Sequence, residues 1–133
     1  MYNLPQKSAQ EYKKWILVGS VIIKVSKNKL VNRSILIDKN GKIRCFYDKI
    51  HMYDVVLSKK EKYFESKIFT AGKNLKTFNL PWGKLGLSIC YDIRFPNLYR
   101  KLSKAGSIFL SIPSAFIIDG SKMRSKKSSR FII

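Results

Sequence analysis

The sequence predicts a chain of the α/β class, with helices layered on sheets in the α+β manner. Three observations carry this. An Asn-Gly pair separates two runs of strand-forming residues; three further runs are rich in aliphatic and β-branched side chains; and residues 84–113 read as strand, tight corner, helix, strand.

The elements follow in order. Residues 8–11, SAQE, have the capping-box pattern, in which Ser8 caps a helix that Glu11 reaches back to close, giving a short helix through Lys14. Residues 15–25, WILVGSVIIKV, then read as a buried strand. Residues 30–38 and 42–50 flank the KNGK turn, the strongest short-range signal for a hairpin. Residues 54–74 read as a long polar connection with KKEKYFES and Gly72. Two more strands, 75–80 and 84–90, are separated by a Pro-Trp-Gly turn. Pro96 suits the first turn of a helix, Gly106 suits its C-terminal end, and 107–113 is a further strand. A strand–helix–strand unit implies a parallel, buried pair. The tail, 120–133, carries five basic residues, no acid and no clean periodicity, and is expected to be a frayed terminus.

Composition bounds the function. The 133 residues are 45% hydrophobic, enough for one domain, and a chain of this size buries roughly 68–70% of its unfolded surface. The longest apolar runs fall short of the roughly 20 residues a membrane helix needs, and the N-terminus lacks the apolar core of a leader. A soluble cytoplasmic protein is expected. Cys45 and Cys90 are expected to stay reduced, and with no CxxC and a single histidine, His51, neither a zinc site nor another cofactor is expected. The formal charge of +19 invites a nucleic-acid reading. Against it, Lys outnumbers Arg 21 to 6 and is spread along the whole chain, whereas phosphate and base readers favour the Arg fork.

Cys90 is the candidate for chemistry. It stands at the end of an apolar run, the edge where open α/β sheets place ligands, and polar Tyr91-Asp92-Ile93-Arg94 follow it. A thiol just ahead of a helix lies in the field of unpaired amide N–H groups, which favours the thiolate. The competing reading is a small buried hydrophobe. A nucleophile needs a base and an oxyanion partner; His51 is the one imidazole available, and Lys49 is a second candidate partner.

Several stretches together resemble a family: NRSILIDKNGKI (32–43), YDKIHMYDV (47–55), FES (64–66), GKLGLSICYDIRFPNLYRKLSKAG (83–106) and IPSAF (112–116). In order and spacing, over residues 15 to 116, they are similar to the nitrilase superfamily of carbon–nitrogen hydrolases, in its nitrilase-like amidase branch. The resemblance implies an αββα sandwich and a Glu–Lys–Cys mechanism acting on a small linear amide. Cys90 matches the nucleophile that forms a thioester, which water then hydrolyses. Lys49 matches the lysine that stabilises the tetrahedral intermediate, aided by the backbone N–H of Tyr91. Glu65 matches a supporting glutamate that orients the lysine, and Asp92 and Arg94 match supporting positions beside the nucleophile. No cofactor is implied. The family associates through helices near the nucleophile, here Asn97 to Ala105, so a homo-oligomer or a complementary fragment is an expected partner.

The family's general-base glutamate lies upstream of these stretches and has no counterpart here; the capping-box reading accounts for Glu11. After residue 116 the sequence departs from the family pattern. Residues 1–119 are therefore expected to be a partial domain and 120–133 a divergent tail, as a split gene or a frameshift would leave them. The leading expectation is a hydrolase of carbon–nitrogen bonds other than peptide bonds, in truncated form and short of its base. The second is a non-catalytic remnant or subunit fragment that pairs with a complementary chain, and the third a basic nucleic-acid-binding protein.

Overall fold

The computed structural model describes residues 3–115. In chain order they form α1 (Asn3–Tyr12), β1 (Ile16–Ser26), β2 (Lys29–Ile37), β3 (Ile43–Asp48), β4 (Asp54–Val56), β5 (Lys62–Phe64), β6 (Lys76–Leu80), β7 (Gly83–Leu87), α2 (Pro96–Lys104) and β8 (Phe109–Ser111), with 3₁₀ turns at Glu65–Lys67 and Cys90–Arg94. One sheet has the order β1-β2-β3, antiparallel throughout; a second has the order β6-β7-β8, with β8 parallel to β7; β4 and β5 form a separate hairpin.

The layering follows from the period of two along β2. Leu36 faces inward and joins Tyr47 of β3 to Leu85, Leu87 and Ile89 in the core between the two sheets. Its neighbours Ile35 and Ile37 face the other way and bury Ala9 of α1. On the far side α2 lies on β7, with Leu98 and Leu102 buried. The order is therefore helix, sheet, sheet, helix, the αββα arrangement.

The hairpin and the strand–helix–strand order of β7, α2 and β8 agree with the sequence, although β7 and β8 are shorter than expected. In the hairpin, Gly41 N–H closes the turn on Asp38 O at 2.9 Å. Gly41 has φ +77°, the left-handed conformation that favours glycine. The Asp38 carboxylate accepts the N–H of Asn40 and of Lys42 at 2.9 and 3.0 Å. Burial pushes this carboxyl upward, but those bonds and the charge of Arg44 outweigh it and hold it below the usual range.

Four expectations are corrected. The first helix begins at Asn3, so Ser8 and Glu11 lie inside it and cap nothing. Its position is fixed by Gln6 and Gln10, one turn apart, which donate to Gly41 O and Asn40 O at 2.8 and 2.9 Å. Among the described residues β1 is an edge strand and is mostly not buried: Ile23, at 9% exposure, is its one buried residue, and Ile22 is 63% exposed. The polar connection 54–74 contains the β4–β5 hairpin, whose three-residue strands are too short to show an alternation among lysines. Finally, β7 ends at Leu87, and a 3₁₀ turn separates Cys90 from α2, so the thiol is not at an α-helix N-terminus. The proposed tail, 120–133, lies outside the described residues.

Among the described residues no helix is long and apolar enough to cross a membrane. Between the sheets opens a cleft of about 370 Å³, lined mainly by apolar groups that include Trp15, Leu17, Leu36, Trp82 and Phe109. Ser111 also lines it, and its buried Oγ has no hydrogen-bond partner among the described residues.

Candidate active site

The site is built where the end of β3 meets the turn after β7. Lys49 follows β3 directly, and the period of two places it on the same face as Tyr47. Its backbone is pinned on both sides: Lys49 N–H donates to Asn32 O at 2.9 Å, and its carbonyl accepts the N–H of Gly72 at 2.8 Å. Gly72 is required there by close approach, because a Cβ would lie 2.1 Å from Asp48 O.

Lys49 is 3% exposed, and its Nζ donates to Glu65 Oε2. A buried ammonium without a partner would cost several kcal/mol on the order of a lost ion pair, so Glu65 is what permits it. Glu65 opens its 3₁₀ turn and is held there from two sides. Its Oε2 also accepts the N–H of Tyr53 at 2.6 Å, and Asp54 Oδ1 accepts the N–H of Ser66 at 3.0 Å. The Ser66 bonds hold the Asp54 carboxyl below its ordinary range.

Cys90 is half-buried, free of any disulfide, and packs against the core between the sheets. Its φ of +47° is left-handed, a conformation that costs a non-glycine residue roughly 1–2 kcal/mol. Such strain persists only where the surroundings over-determine it. Here Cys90 N–H donates to Pro113 O at 2.9 Å, and Asp92 Oδ2 accepts the N–H of Ile89 at 2.9 Å, so the corner is tied on either side of the thiol.

Asp92, 0% exposed, is the hub of this corner. It accepts from the Tyr47 hydroxyl at 2.7 Å and from the backbone N–H and ring Nδ1 of His51 at 3.1 and 2.6 Å. Burial and then the adjacent Asp92 carboxylate push the Tyr47 phenol well above its usual range. The His51 ring stacks on Phe95 at 3.7 Å between centroids. A second link passes through aromatic edges: Tyr53 meets Tyr91 at 5.0 Å, and Tyr91 meets Phe95 at 5.4 Å.

The structure thus joins the segments that carry Lys49, Glu65, Cys90, Tyr91 and Asp92. Arg94 is exposed and makes no side-chain hydrogen bond or ion pair among the described residues. His51, weighed from the sequence as a base, has its Nδ1 committed to Asp92. Tyr47 and Tyr53 are the residues that sequence reasoning missed. Tyr47 was signalled only by its position two residues before Lys49, and Tyr53 acts through its backbone, which no side-chain pattern reveals.

Comparison with known proteins gives the same frame. Residues 3–129 match the model of the family described as carbon-nitrogen hydrolase. The chain is 38% identical over 114 residues to a deaminated glutathione amidase of Yersinia enterocolitica, covering 84% of this chain and 40% of that protein. It is 34% identical over 105 residues to the omega-amidase NIT3 of Saccharomyces cerevisiae, covering 77% of this chain and 36% of that one. Among solved structures, the NitFhit protein of C. elegans superposes with a TM-score of 0.80 at 34% identity, over 87% of this chain and 29% of that chain. Nit3 of Saccharomyces cerevisiae, a member of branch 10 of the nitrilase superfamily, gives 0.74 at 26% identity, over 87% and 40%. The chain spans about 40% of the length of the Yersinia relative.

Proposed function

The chain belongs to the carbon–nitrogen hydrolase family, and on that premise we propose that Cys90 is the nucleophile of an amide-hydrolysing site. The observation that carries this reading is a buried Lys49 held by Glu65, on a segment bonded to the strained corner that presents Cys90. A buried ammonium is a fixed positive charge, worth most where charge develops on a substrate oxygen.

The sulfur attacks the carbonyl carbon of a small linear amide, and the C=O electron pair moves to oxygen. Lys49 and the backbone N–H of Tyr91 stabilise that oxyanion. As the oxyanion collapses, the C–N bond breaks, the nitrogen takes a proton and leaves as ammonia, and Cys90 is left as a thioester. Water then adds to the thioester and releases the acid and the thiol. Glu65 keeps Lys49 aimed throughout. The relatives named for amidases support the substrate class.

Proton transfer, typically worth 10²–10⁴-fold, is assigned to a carboxylate other than those described. Asp38 closes the hairpin turn, Asp48 pairs with Arg33, Asp54 holds the Glu65 turn and Asp92 holds the corner. Glu11 lies on the outer helix and Glu61 beside the β4–β5 turn.

The test is ammonia release from small ω-amides, alongside labelling of the 133-residue chain with iodoacetamide and mass spectrometry of each cysteine. Selective alkylation of Cys90, lost when amide substrate is present, supports the reading. Alkylation no faster than that of a free thiol, with no ammonia released, rejects it.

A second reading is association with a complementary segment. It is favoured by the cleft between the sheets, whose apolar walls and unpartnered Ser111 Oγ lack an occupant among the described residues. By contrast, the outer face of α2 is polar, with Asn97, Arg100, Lys101 and Lys104 exposed. Size-exclusion chromatography decides: a well-behaved monomer counts against association.

A further inference from the structure

We infer that Tyr47, His51 and Asp92 form a clasp that sets the separation of Lys49 and Cys90, with His51 as its positioning residue. The inference rests on the reading of Cys90 as a nucleophile.

The geometry is specific. Asp92 is two residues after Cys90, and Tyr47 and His51 are two residues before and after Lys49. Both flanking residues bond the same carboxylate, so Lys49 is bracketed by two ties to the corner that carries the thiol. Asp92 Oδ2 takes the Tyr47 hydroxyl at 2.7 Å and Ile89 N–H at 2.9 Å, while Oδ1 takes His51 N–H at 3.1 Å and Nδ1 at 2.6 Å. Four donors fill the acceptor sites of one carboxylate. The Tyr47 hydroxyl in turn accepts the N–H of Ile50 at 3.3 Å, which fixes the backbone between Lys49 and His51.

A purely structural turn does not need such a group. Taking a carboxylate fully out of water is expensive, and a well-packed apolar residue is often as stable. What the network adds is direction: it couples two segments far apart in sequence at fixed bond lengths. It also restrains the turn in which Cys90 keeps its left-handed φ. His51 is the member best suited to substitution, being 24% exposed on its side chain where Asp92 is 0%.

The experiment compares the 133-residue chain with His51→Leu and His51→Asn, the latter carrying an amide N–H near the position of Nδ1. Iodoacetamide labelling is followed by mass spectrometry at one pH, with circular dichroism and thermal melting as checks of folding. His51→Leu is expected to slow Cys90 alkylation about tenfold, less than the roughly hundredfold that misplacing a reacting group by an ångström can cost. His51→Asn is expected to recover most of that rate without recovering the stack on Phe95. Equal slowing in both variants would assign the effect to the stack and overturn the clasp, as would an unchanged rate in His51→Leu. Should His51→Leu fail to fold, Tyr47→Phe, which removes one hydroxyl, replaces it with the same expectation. A wild-type Cys90 no more reactive than a free thiol overturns the nucleophile reading itself. A reactive wild-type thiol that is indifferent to His51 overturns the clasp alone.

Discussion

Glu65 holds the buried ammonium of Lys49 with the same carboxylate oxygen that accepts the N–H of Tyr53 at 2.6 Å. One acid therefore neutralises the cation and fixes the loop that covers it. The pair differs from the surface ion pairs of a lysine-rich chain, which contribute about 0–1 kcal/mol each.

Removing one partner of such a pair leaves an uncompensated charge. Glu65→Gln is expected to cost about 3 kcal/mol, at the low end for a broken buried pair because Glu65 is 15% exposed. Lys49→Met should cost less, since the carboxylate left behind reaches water. Joining the two changes should cost less than their sum, the mark of a direct coupling. Urea unfolding reads this as a lower midpoint at constant slope. A Glu65→Gln cost under about 0.5 kcal/mol would place the pair with ordinary surface pairs.

The backbone at Cys90 makes a separate prediction. With φ at +47°, a Cβ is carried at a cost of roughly 1–2 kcal/mol. Replacing Cys90 by Ala keeps that cost, whereas replacing it by Gly removes it. Cys90→Gly should therefore be more stable than Cys90→Ala by about 1 kcal/mol, or about 3–5 °C in melting temperature for a domain of this size. The reverse order, with Ala the more stable, would show that the corner is not left-handed in solution.

Much of this was legible before the structure. The Asn-Gly hairpin, the Pro-Trp-Gly turn and the β7–α2–β8 unit are local signals, and local chemistry decided them. The family-like stretches also single out Lys49, Glu65 and Cys90, and the structure bonds the first two to each other. What was not legible depends on partners far away in the chain. The run 15–25 reads as buried because it is β-branched, yet its place at a sheet edge leaves Ile22 outside. The pattern at Ser8 and Glu11 is a real capping signal, but contacts of Gln6 and Gln10 with residues 40 and 41 extend the helix past it. The bond between His51 and Asp92 joins positions 41 apart, and no periodicity points from one to the other.

Gly72 tests how tightly the lysine segment is held. Its conformation is one that any residue can adopt, but a Cβ there would meet Asp48 O at 2.1 Å and Asp48 Cβ at 3.0 Å. The near atom is backbone, so relief requires either β3 or the 70–72 segment to move. Gly72→Ala is expected to destabilise by about 1–3 kcal/mol, as overpacking does. It should also weaken the bond between Gly72 N–H and Lys49 O, raising hydrogen exchange at residue 72. Unchanged melting and exchange would show that the two segments are not in contact.

The two thiols are expected to separate by pH. Burial pushes the Cys45 thiol up to about 11, against a smaller opposing pull from the charge of Lys76. The reactive species is the thiolate, which forms as pH rises, so a raised value delays reactivity to higher pH. At pH 8 only about one Cys45 in a thousand is ionised, whereas an unperturbed thiol near 8.5 is about a quarter ionised. Iodoacetamide at pH 8 should therefore leave Cys45 unmodified in the folded chain, with its labelling rising steeply towards pH 11. Urea, by exposing Cys45, should bring its labelling at pH 8 to that of a free thiol. Rapid Cys45 alkylation at pH 8 without urea would mean that the space between β3 and β6 admits solvent, and that the two sheets are not packed as described.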